Sequence, residues 1–318
     1  MSNLRPLIVI LGPTSSGKTE MSLKLAKKYN SEIVNADSRQ IYQEMNVGTG
    51  SPIISRWFHS PEGLWNQNAT QKDSTYLIKS IPHHLFNIKK PNQKFSLSQY
   101  KKLAIKTINN IHNKNKTPIL VGGTGLYISS ITDNLLIPKA SPNNSIRKKL
   151  EKHTEKYLYK RLEKIDIKSA ETIGPTNKRK LIRALEVFEL TGKPFSSQKT
   201  KGKSLFNILQ IGIKTDREEL YKKIDDRVNE MIKQGLIEET KKLSRKYKSD
   251  LPAMSGIGYF EIDSYLKKET SLEDAIQRIK FRTHQYARRQ ITWFKRDERI
   301  VWVKNYQESD KLIKDFLG

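Results

Sequence analysis

The sequence predicts an α/β protein in which helices flank a parallel sheet and a mainly helical lobe is inserted into the chain. Three observations predict it. The apolar run Leu7-Ile8-Val9-Ile10-Leu11 passes directly into Gly12-Pro13-Thr14-Ser15-Ser16-Gly17-Lys18-Thr19. Short apolar runs alternate with helical stretches toward both ends of the chain, the pattern of a parallel sheet with crossover helices. Between Leu126 and Lys203 the chain is basic and helical in pattern, with no strand of comparable quality.

Taken in order, Leu7 to Leu11 reads as a buried strand, and the glycine-rich stretch after it matches G-x-x-x-x-G-K-[ST]. Strand, loop and following helix together predict a P-loop NTPase-like sheet. Gly12 and Gly17 let the backbone wrap an anion, with successive N–H groups and a helix N-terminus pointing at it. Lys18 adds a mobile positive charge, and the Thr19 hydroxyl can ligate Mg²⁺. An ordinary glycine-rich turn would need neither the preceding strand nor the lysine. Glu20 to Tyr29 reads as the helix that opens on this loop. Glu32-Ile33-Val34-Asn35-Ala36 is a short second strand ending at Asp37. Leu103, Ile105, Ile108 and Ile111 recur at helical spacing ahead of a third strand, Pro118-Ile119-Leu120-Val121, which ends at Gly122-Gly123-Thr124-Gly125. Ligands of parallel sheets sit outside the carboxyl ends of the strands. Residues 12–19, 37–42 and 124–127 are therefore expected around one crevice.

Farther along, Leu205 to Ile213 reads as a strand returning to the sheet and Ile300-Val301-Trp302-Val303 as a last strand. The expected division is a core of residues 1–139 and 204–318 and an inserted lobe of residues 140–203. No internal repeat is visible.

Composition narrows the partner. The net charge is +26 in 318 residues, which suits a polyanionic substrate. Lysine-rich solvated surfaces, as in Lys152 to Lys168 and Lys241 to Lys248, would raise the charge equally well, so local placement has to decide. The absence of cysteine excludes disulfides and thiolate metal sites and fits a reducing cytoplasm. The apolar stretch near the start, Leu7 to Leu11, is too short to span a membrane. A cytoplasmic, monomeric protein without a membrane partner is expected.

A Walker-type nucleotidase would end a strand in an aspartate of the Mg²⁺ shell, yet Ile119 to Val121 ends in Gly-Gly-Thr. Asp37 is the acid at a strand end nearby. It suits either a metal shell or a base aimed at an acceptor beside the phosphates.

The segments Gly12 to Thr19, Asp37-Ser38-Arg39-Gln40-Ile41-Tyr42, Met45-Asn46-Val47-Gly48-Thr49, Pro82-His83-His84-Leu85 and Gly122 to Tyr127 occur in that order. Arg183-Ala184-Leu185-Glu186-Val187, Gly192-Lys193-Pro194 and Gln290-Ile291-Thr292-Trp293-Phe294 follow. Together they resemble the tRNA dimethylallyltransferase family over residues 7 to 297. The resemblance implies that the P-loop holds the pyrophosphate of dimethylallyl diphosphate rather than ATP. The acceptor it implies is N6 of the adenosine immediately 3′ to the anticodon of tRNA, reached through the anticodon stem-loop. It assigns Asp37 as the base. Thr124 would hold the acceptor amine or the diphosphate, and Arg217, just past the strand ending at Ile213, would be a further clamp on the leaving group. Mg²⁺, held through Thr19, is the implied cofactor.

A base that must leave its stack demands a grip on the RNA loop. The implied tRNA contacts are Asp37, Ser38, Arg39, Gln40, Thr124, Arg147, Arg179, Lys180, Leu181, Ile182, Arg183, Arg278, Arg282 and Arg289. On the helix from Glu273 to Phe294, Arg278, Arg282 and Arg289, with Arg296 beyond it, fall within about 40° of one another. Ile276, Ile279, Thr283, Tyr286, Ile291 and Phe294 form a separate stripe. A merely solvated face would look similar. A metal at His83-His84 is disfavoured, because neighbouring side chains diverge and no third ligand is spaced to complete a site.

The chain departs from the family pattern at Gly50-Ser51-Pro52, where Ala-Lys-Pro is usual, at Thr176-Asn177 in place of Asn-Asp, and at His284 in place of Arg. The segment 50–81, with Trp57, Phe58 and Trp65, is longer than the pattern expects. Two other functions share parts of the sequence. An isopentenyltransferase acting on free adenine nucleotides would keep the loop and Asp37 without needing the lobe, and a nucleotide kinase or RNA-binding P-loop protein would keep the loop alone.

Overall fold

A computed structural model describes residues 4–52, 75–198 and 200–318. Of the long segment 50–81, residues 53–74, with Trp57, Phe58 and Trp65, lie outside the described residues. The chain divides into two compact units, residues 1–128 with 205–318, and residues 129–204. The second unit therefore begins ahead of the boundary at 140 read from the sequence.

The first unit is built on a seven-stranded sheet in the order β3-β4-β2-β5-β1-β6-β7, formed by β1 (Pro6–Leu11), β2 (Glu32–Asn35), β3 (Thr75–Ile78), β4 (Ile81–His84), β5 (Pro118–Gly122), β6 (Asn207–Ile213) and β7 (Ile300–Val303). Neighbours are parallel except β3, which runs antiparallel to β4. The sheet is thus mixed at one edge rather than wholly parallel. From β1, residues Leu7 to Leu11 are fully buried, because the strand lies between β5 and β6 with helices over its faces, and a strand covered on both faces reads as a continuous apolar run.

Registers align the strand ends that matter. Leu11 pairs with Gly122, and Asn35 with Val121, so β1, β5 and β2 end side by side. Pairing continues past the strands, Ala36 N–H donating to Val121 O at 2.7 Å and Thr124 N–H to Ala36 O at 3.2 Å. Gly122 has to be glycine, since a Cβ there would stand 2.2 Å from the Ala36 carbonyl oxygen.

Helix α1 (Lys18–Lys28) starts on Gly17, whose φ of 88° is left-handed, two residues ahead of the sequence-based start at Glu20. Helix α2 (Leu97–His112) opens on a capping box of Ser96 and Gln99 and buries Tyr100, Ala104, Ile108 and Ile111. The Tyr100 hydroxyl donates to Asn35 O at 3.0 Å, and its ring stacks on Tyr127 at 3.7 Å. The chain passes from the first unit to the second along α3 (Gly125–Thr132).

The second unit contains α4 (Asn144–Glu151), α5 (Glu155–Ile165), α6 (Ile167–Ile173), α7 (Lys178–Thr191) and the single turn α8 (Phe195–Gln198). Asn143, Thr154, Asp166 and Asn177 cap four of these helices with side-chain oxygens, and Gly192 ends α7 in the left-handed conformation. Its core is Leu150, Leu158, Leu162, Ala170, Leu181, Ile182 and Leu185.

Back in the first unit follow α9 (Arg217–Lys233), α10 (Leu236–Lys246), α11 (Tyr259–Leu266), α12 (Leu272–Phe294) and α13 (Tyr306–Leu317). The buried Glu32 carboxylate meets His84 at 2.8 Å, Lys114 at 3.1 Å and Lys116 at 3.3 Å. Burial alone would raise its pKa, but hydrogen bonds from His84 and Lys114 hold it at about 2. Among the described residues no helix is long and apolar enough to cross a membrane.

Candidate active site

Two cavities of the first unit meet at the carboxyl ends of β1, β2 and β5. A small chamber of about 70 Å³ lies against Lys18, Thr19, Ser22, Asn35, His83 and Phe86. A larger crevice of about 520 Å³ lies against Ser38, Arg39, Thr124, Tyr286, Arg289 and Trp293. Thr14, Asp37, Thr49, Gly123, Arg227 and Gln290 line both. Asp37 therefore faces the P-loop on one side and a space large enough for a heterocycle on the other.

The chamber is built for an anion. The Ser15 and Ser16 hydroxyls are buried without a hydrogen-bond partner among the described residues, and Ser15 has a φ of 61°. Lys18 Nζ donates to Pro13 O at 2.5 Å. Burial brings its pKa down to about 7, with Arg227 pushing the same way and Asp37 opposing. Burial likewise lowers Arg227, again against the pull of Asp37. Two buried basic groups facing one small space, with the Asp37 carboxylate as the opposing charge on both, suit a bound anion. Thr14 departs from the expected pattern, because its N–H is already donated to Gln290 Oε1 at 2.8 Å.

Asp37 is locally fixed. Its N–H donates to Asn35 Oδ1 at 2.9 Å, and its Oδ1 accepts the Arg39 N–H at 2.8 Å, while Oδ2 accepts no hydrogen bond among the described residues. The Thr124 hydroxyl accepts the Ser38 N–H at 3.0 Å and donates to Ser38 Oγ at 3.2 Å, and burial raises the pKa of the Tyr286 phenol. Thr124 and Ser38 thus lock the ends of β5 and β2 together. Arg39 and Gln40 spend their side chains on carbonyls, Arg39 on Pro252 at 2.7 Å and Gln40 on Thr49 at 3.3 Å and Gly50 at 3.2 Å.

Several expected residues lie elsewhere. Arg217 is the exposed first residue of α9, lines neither cavity and packs over the Tyr221 ring at 5.3 Å. The arginine that reaches the site is Arg227, farther along α9, with Nη2 3.1 Å from Gly50 O. In the second unit Leu181 and Ile182 have their side chains in the core. Arg147 and Arg183 hold the fully buried Glu186, at 2.8 and 2.7 Å. Arg179 and Lys180 are exposed as expected, as are Arg278 and Arg289 on α12. Arg282 is not free on that face, because it pairs with buried Glu261 and lies over the Phe260 ring.

His83 sits in β4 with Nδ1 2.8 Å from Ile81 O, and burial lowers its pKa to about 4, so it lines the chamber as a neutral ring. Among the described residues no cluster of three His, Cys, Asp or Glu could hold a metal. Sequence reasoning missed Arg227, Gln290 and Tyr286 as site residues. Gln290 and Tyr286 were visible in the α12 pattern, whereas Arg227 sits in a run of mixed charges with no motif around it.

The match to known proteins covers almost the whole chain. The model of the IPP transferase family matches residues 67–297, and that of isopentenyl transferase residues 6–70. The tRNA dimethylallyltransferase of Halothermothrix orenii is 43% identical, over 98% of this chain and 93% of its own. That of Microcystis aeruginosa is 43% identical over 95% and 88%. Among solved structures, the tRNA isopentenylpyrophosphate transferase of Bacillus halodurans is 33% identical with a TM-score of 0.67, covering 98% of this chain and 95% of that one. A eukaryotic dimethylallyltransferase acting on tRNA is 28% identical with a TM-score of 0.73, covering 96% and 76%. With relatives 43% identical over nearly its full length and the family model matching residues 67–297, the chain belongs to the tRNA dimethylallyltransferase, or IPP transferase, family.

Proposed function

We propose that this enzyme transfers a dimethylallyl group from dimethylallyl diphosphate to N6 of the adenosine immediately 3′ to the anticodon in tRNA, releasing diphosphate. The observation that carries this reading is the shared wall of the two cavities, where Asp37 stands between a phosphate cradle and a crevice. A nucleotidase would need only the first.

The diphosphate occupies the chamber, with Lys18 and Arg227 as donors from its lining and the unpartnered Ser15 and Ser16 hydroxyls in the loop between Thr14 and Lys18. The adenine enters the crevice, where Tyr286 and Trp293 offer aromatic surface and Arg289 positive charge. An exocyclic amine delocalises its lone pair into the ring, so it has to be positioned and relieved of a proton as it reacts. N6 attacks the allylic C1, the C1–O bond breaks, and its electron pair leaves on the diphosphate. Asp37 Oδ2 takes the N6 proton. Lys18 and Arg227 stabilise the charge that gathers on the leaving oxygen, in a setting where burial strengthens each interaction. Thr124 holds the Ser38 backbone and thereby the loop carrying Asp37.

Thr19 and Asp37 both line the chamber. That is a sparse oxygen set of the kind that suits Mg²⁺, which keeps several waters and binds through one or two protein oxygens and substrate phosphates. Thr19 would hold the ion, which when bound neutralises diphosphate charge. The enzyme works in the cytoplasm as a monomer, a reading supported by its lack of cysteine and its charge of +26.

The test is incubation of the purified protein with radiolabelled dimethylallyl diphosphate and either unmodified tRNA or AMP, followed by nucleoside analysis. Label on N6 of tRNA adenosine, with AMP inert, is the expected result. Transfer to AMP alone would establish the free-nucleotide enzyme instead, and turnover-linked ATP hydrolysis would contradict the use assigned to the P-loop.

A further inference from the structure

Glu239, on α10, lines neither cavity, yet it gathers an unusual set of donors. Its carboxylate accepts the successive backbone N–H groups of Asn46, Val47 and Gly48 at 2.9, 2.9 and 3.1 Å, and the Tyr259 hydroxyl at 2.6 Å. A run of backbone N–H groups turned to one point is an anion-binding concavity, here filled by the protein's own carboxylate. Hydrogen bonds to a charged acceptor are about twice as strong as neutral ones. Tyr259 is fully buried and its ring abuts Gly48, where a Cβ would come within 2.6 Å of it. The loop from Asn46 is thus pinned from two helices.

The same loop ends on the active site. Gly50 N–H donates to Val47 O at 2.9 Å, closing a tight turn that continues the pinned residues. Gly50 has a φ of 56°, and a Cβ on it would fall 1.4 Å from Arg227 Nη2, so the guanidinium lies directly on its backbone. The Gly50 carbonyl accepts from both Arg227 and Gln40. Only Thr49 therefore separates the residues held by Glu239 from Gly50, which seats Arg227.

We infer that Glu239 is a positioning residue for the diphosphate end of the reaction, fixing through the 46–50 loop the place of the Arg227 guanidinium where chamber and crevice meet. The role rests on the reading of the chamber as a diphosphate site. Tyr259 supports it by donating to the same carboxylate. Replacing Glu239 with glutamine keeps the shape but turns an acceptor into an amide donor facing a row of N–H donors, which loosens the loop and lets Arg227 drift.

The test is a double-mutant cycle of Glu239→Gln and Arg227→Ala, read by calorimetric binding of inorganic pyrophosphate, with tRNA affinity and melting temperature alongside. Glu239→Gln should weaken pyrophosphate binding by roughly 5- to 50-fold when Arg227 is present and by less than about twofold when it is alanine, since coupled residues are non-additive. Affinity for tRNA should stay within about twofold, the scatter of independent sites. A loss of equal size in both backgrounds, or no loss in a folded Glu239→Gln protein, would overturn the inference. Should that variant not fold, Tyr259→Phe keeps the ring against Gly48 and removes one donor. It should weaken pyrophosphate binding in the same direction and only with Arg227 present, and an effect independent of Arg227 would count against the role. Pyrophosphate binding is read without prenyl transfer, so failure of the proposed reaction would show separately in the wild-type transfer assay.

Discussion

Gln290 Oε1 accepts the Thr14 backbone N–H at 2.8 Å, and its Nε2 donates to Gly123 O at the same distance. One buried amide on α12 thereby ties the loop after β1 to the loop after β5, the two backbone segments that shape the chamber and the crevice. A Cβ at Gly123 would stand 2.3 Å from that amide, so the tie also requires the glycine.

Substituting Gln290 with leucine leaves two buried backbone groups unpaired, each costing about 1–3 kcal/mol. Urea denaturation should show a loss in that range or somewhat above it. Gln290→Glu should keep the bond to Thr14 and lose that to Gly123, with a smaller effect on pyrophosphate binding than leucine has.

The two arginines of α9 separate cleanly. Arg227→Ala should lower the rate of the chemical step by roughly 10²–10³-fold, the usual loss for one donor to a developing anion. Arg217→Ala should leave it near wild type, because that side chain packs over Tyr221 outside both cavities. Single-turnover prenyl transfer at saturating substrates distinguishes them.

Basic residues should sort by their partners. Arg179, Lys180, Arg278 and Arg289 are exposed, and removal of each should weaken tRNA binding and reduce its log–log salt slope by up to about one unit. Arg183→Ala should instead destabilise the second unit by about 2 kcal/mol, because it strips a hydrogen bond from the fully buried Glu186 carboxylate. Arg282→Ala should likewise cost stability through Glu261. Filter binding across a salt series and thermal melts read the two classes apart.

Lys18 carries a pH signature. Burial brings its pKa from 10.5 to about 7 in the free protein, and a bound diphosphate raises it again. Above pH 7 binding therefore takes up a proton, and pyrophosphate affinity, corrected for the titration of pyrophosphate itself, should fall by up to about tenfold per pH unit toward pH 9. Lys18→Met should remove that slope. The stability effect has the opposite sense. Between pH 7 and 10.5 the unfolded chain holds a proton on Lys18 that the folded chain has lost, so this group's contribution to stability rises with pH through that window and is least favourable below it. The Lys18→Met substitution should raise the melting temperature at pH 6 and do so less at pH 10.

The sheet's middle was legible because burial on both faces leaves an uninterrupted apolar run, as in β1 and β5. Strands β3 and β4 were not. Pro82, His83 and His84 carry no strand period, and β4 is held partly by polar contacts of His84 with Glu32 and Thr75. The P-loop and Asp37 stood out because their chemistry requires local sequence. Arg227 did not, since its place depends on the 46–50 loop, and nothing near it in the chain records that. The placement of Leu181 and Ile182 was not legible for the converse reason: their basic neighbours on α7 drew attention to a stretch whose apolar members face the core of the second unit.

Among the described residues Asp37 is the one carboxylate that lines both cavities. The decisive measurement is single-turnover prenyl transfer by Asp37→Ala at saturating dimethylallyl diphosphate and tRNA, with both affinities measured independently. The rate should fall by roughly 10²–10⁴-fold, as for the loss of a general base, with both substrates still bound. A rate near that of the wild type would show that the carboxylate shared by the two cavities does not take the N6 proton.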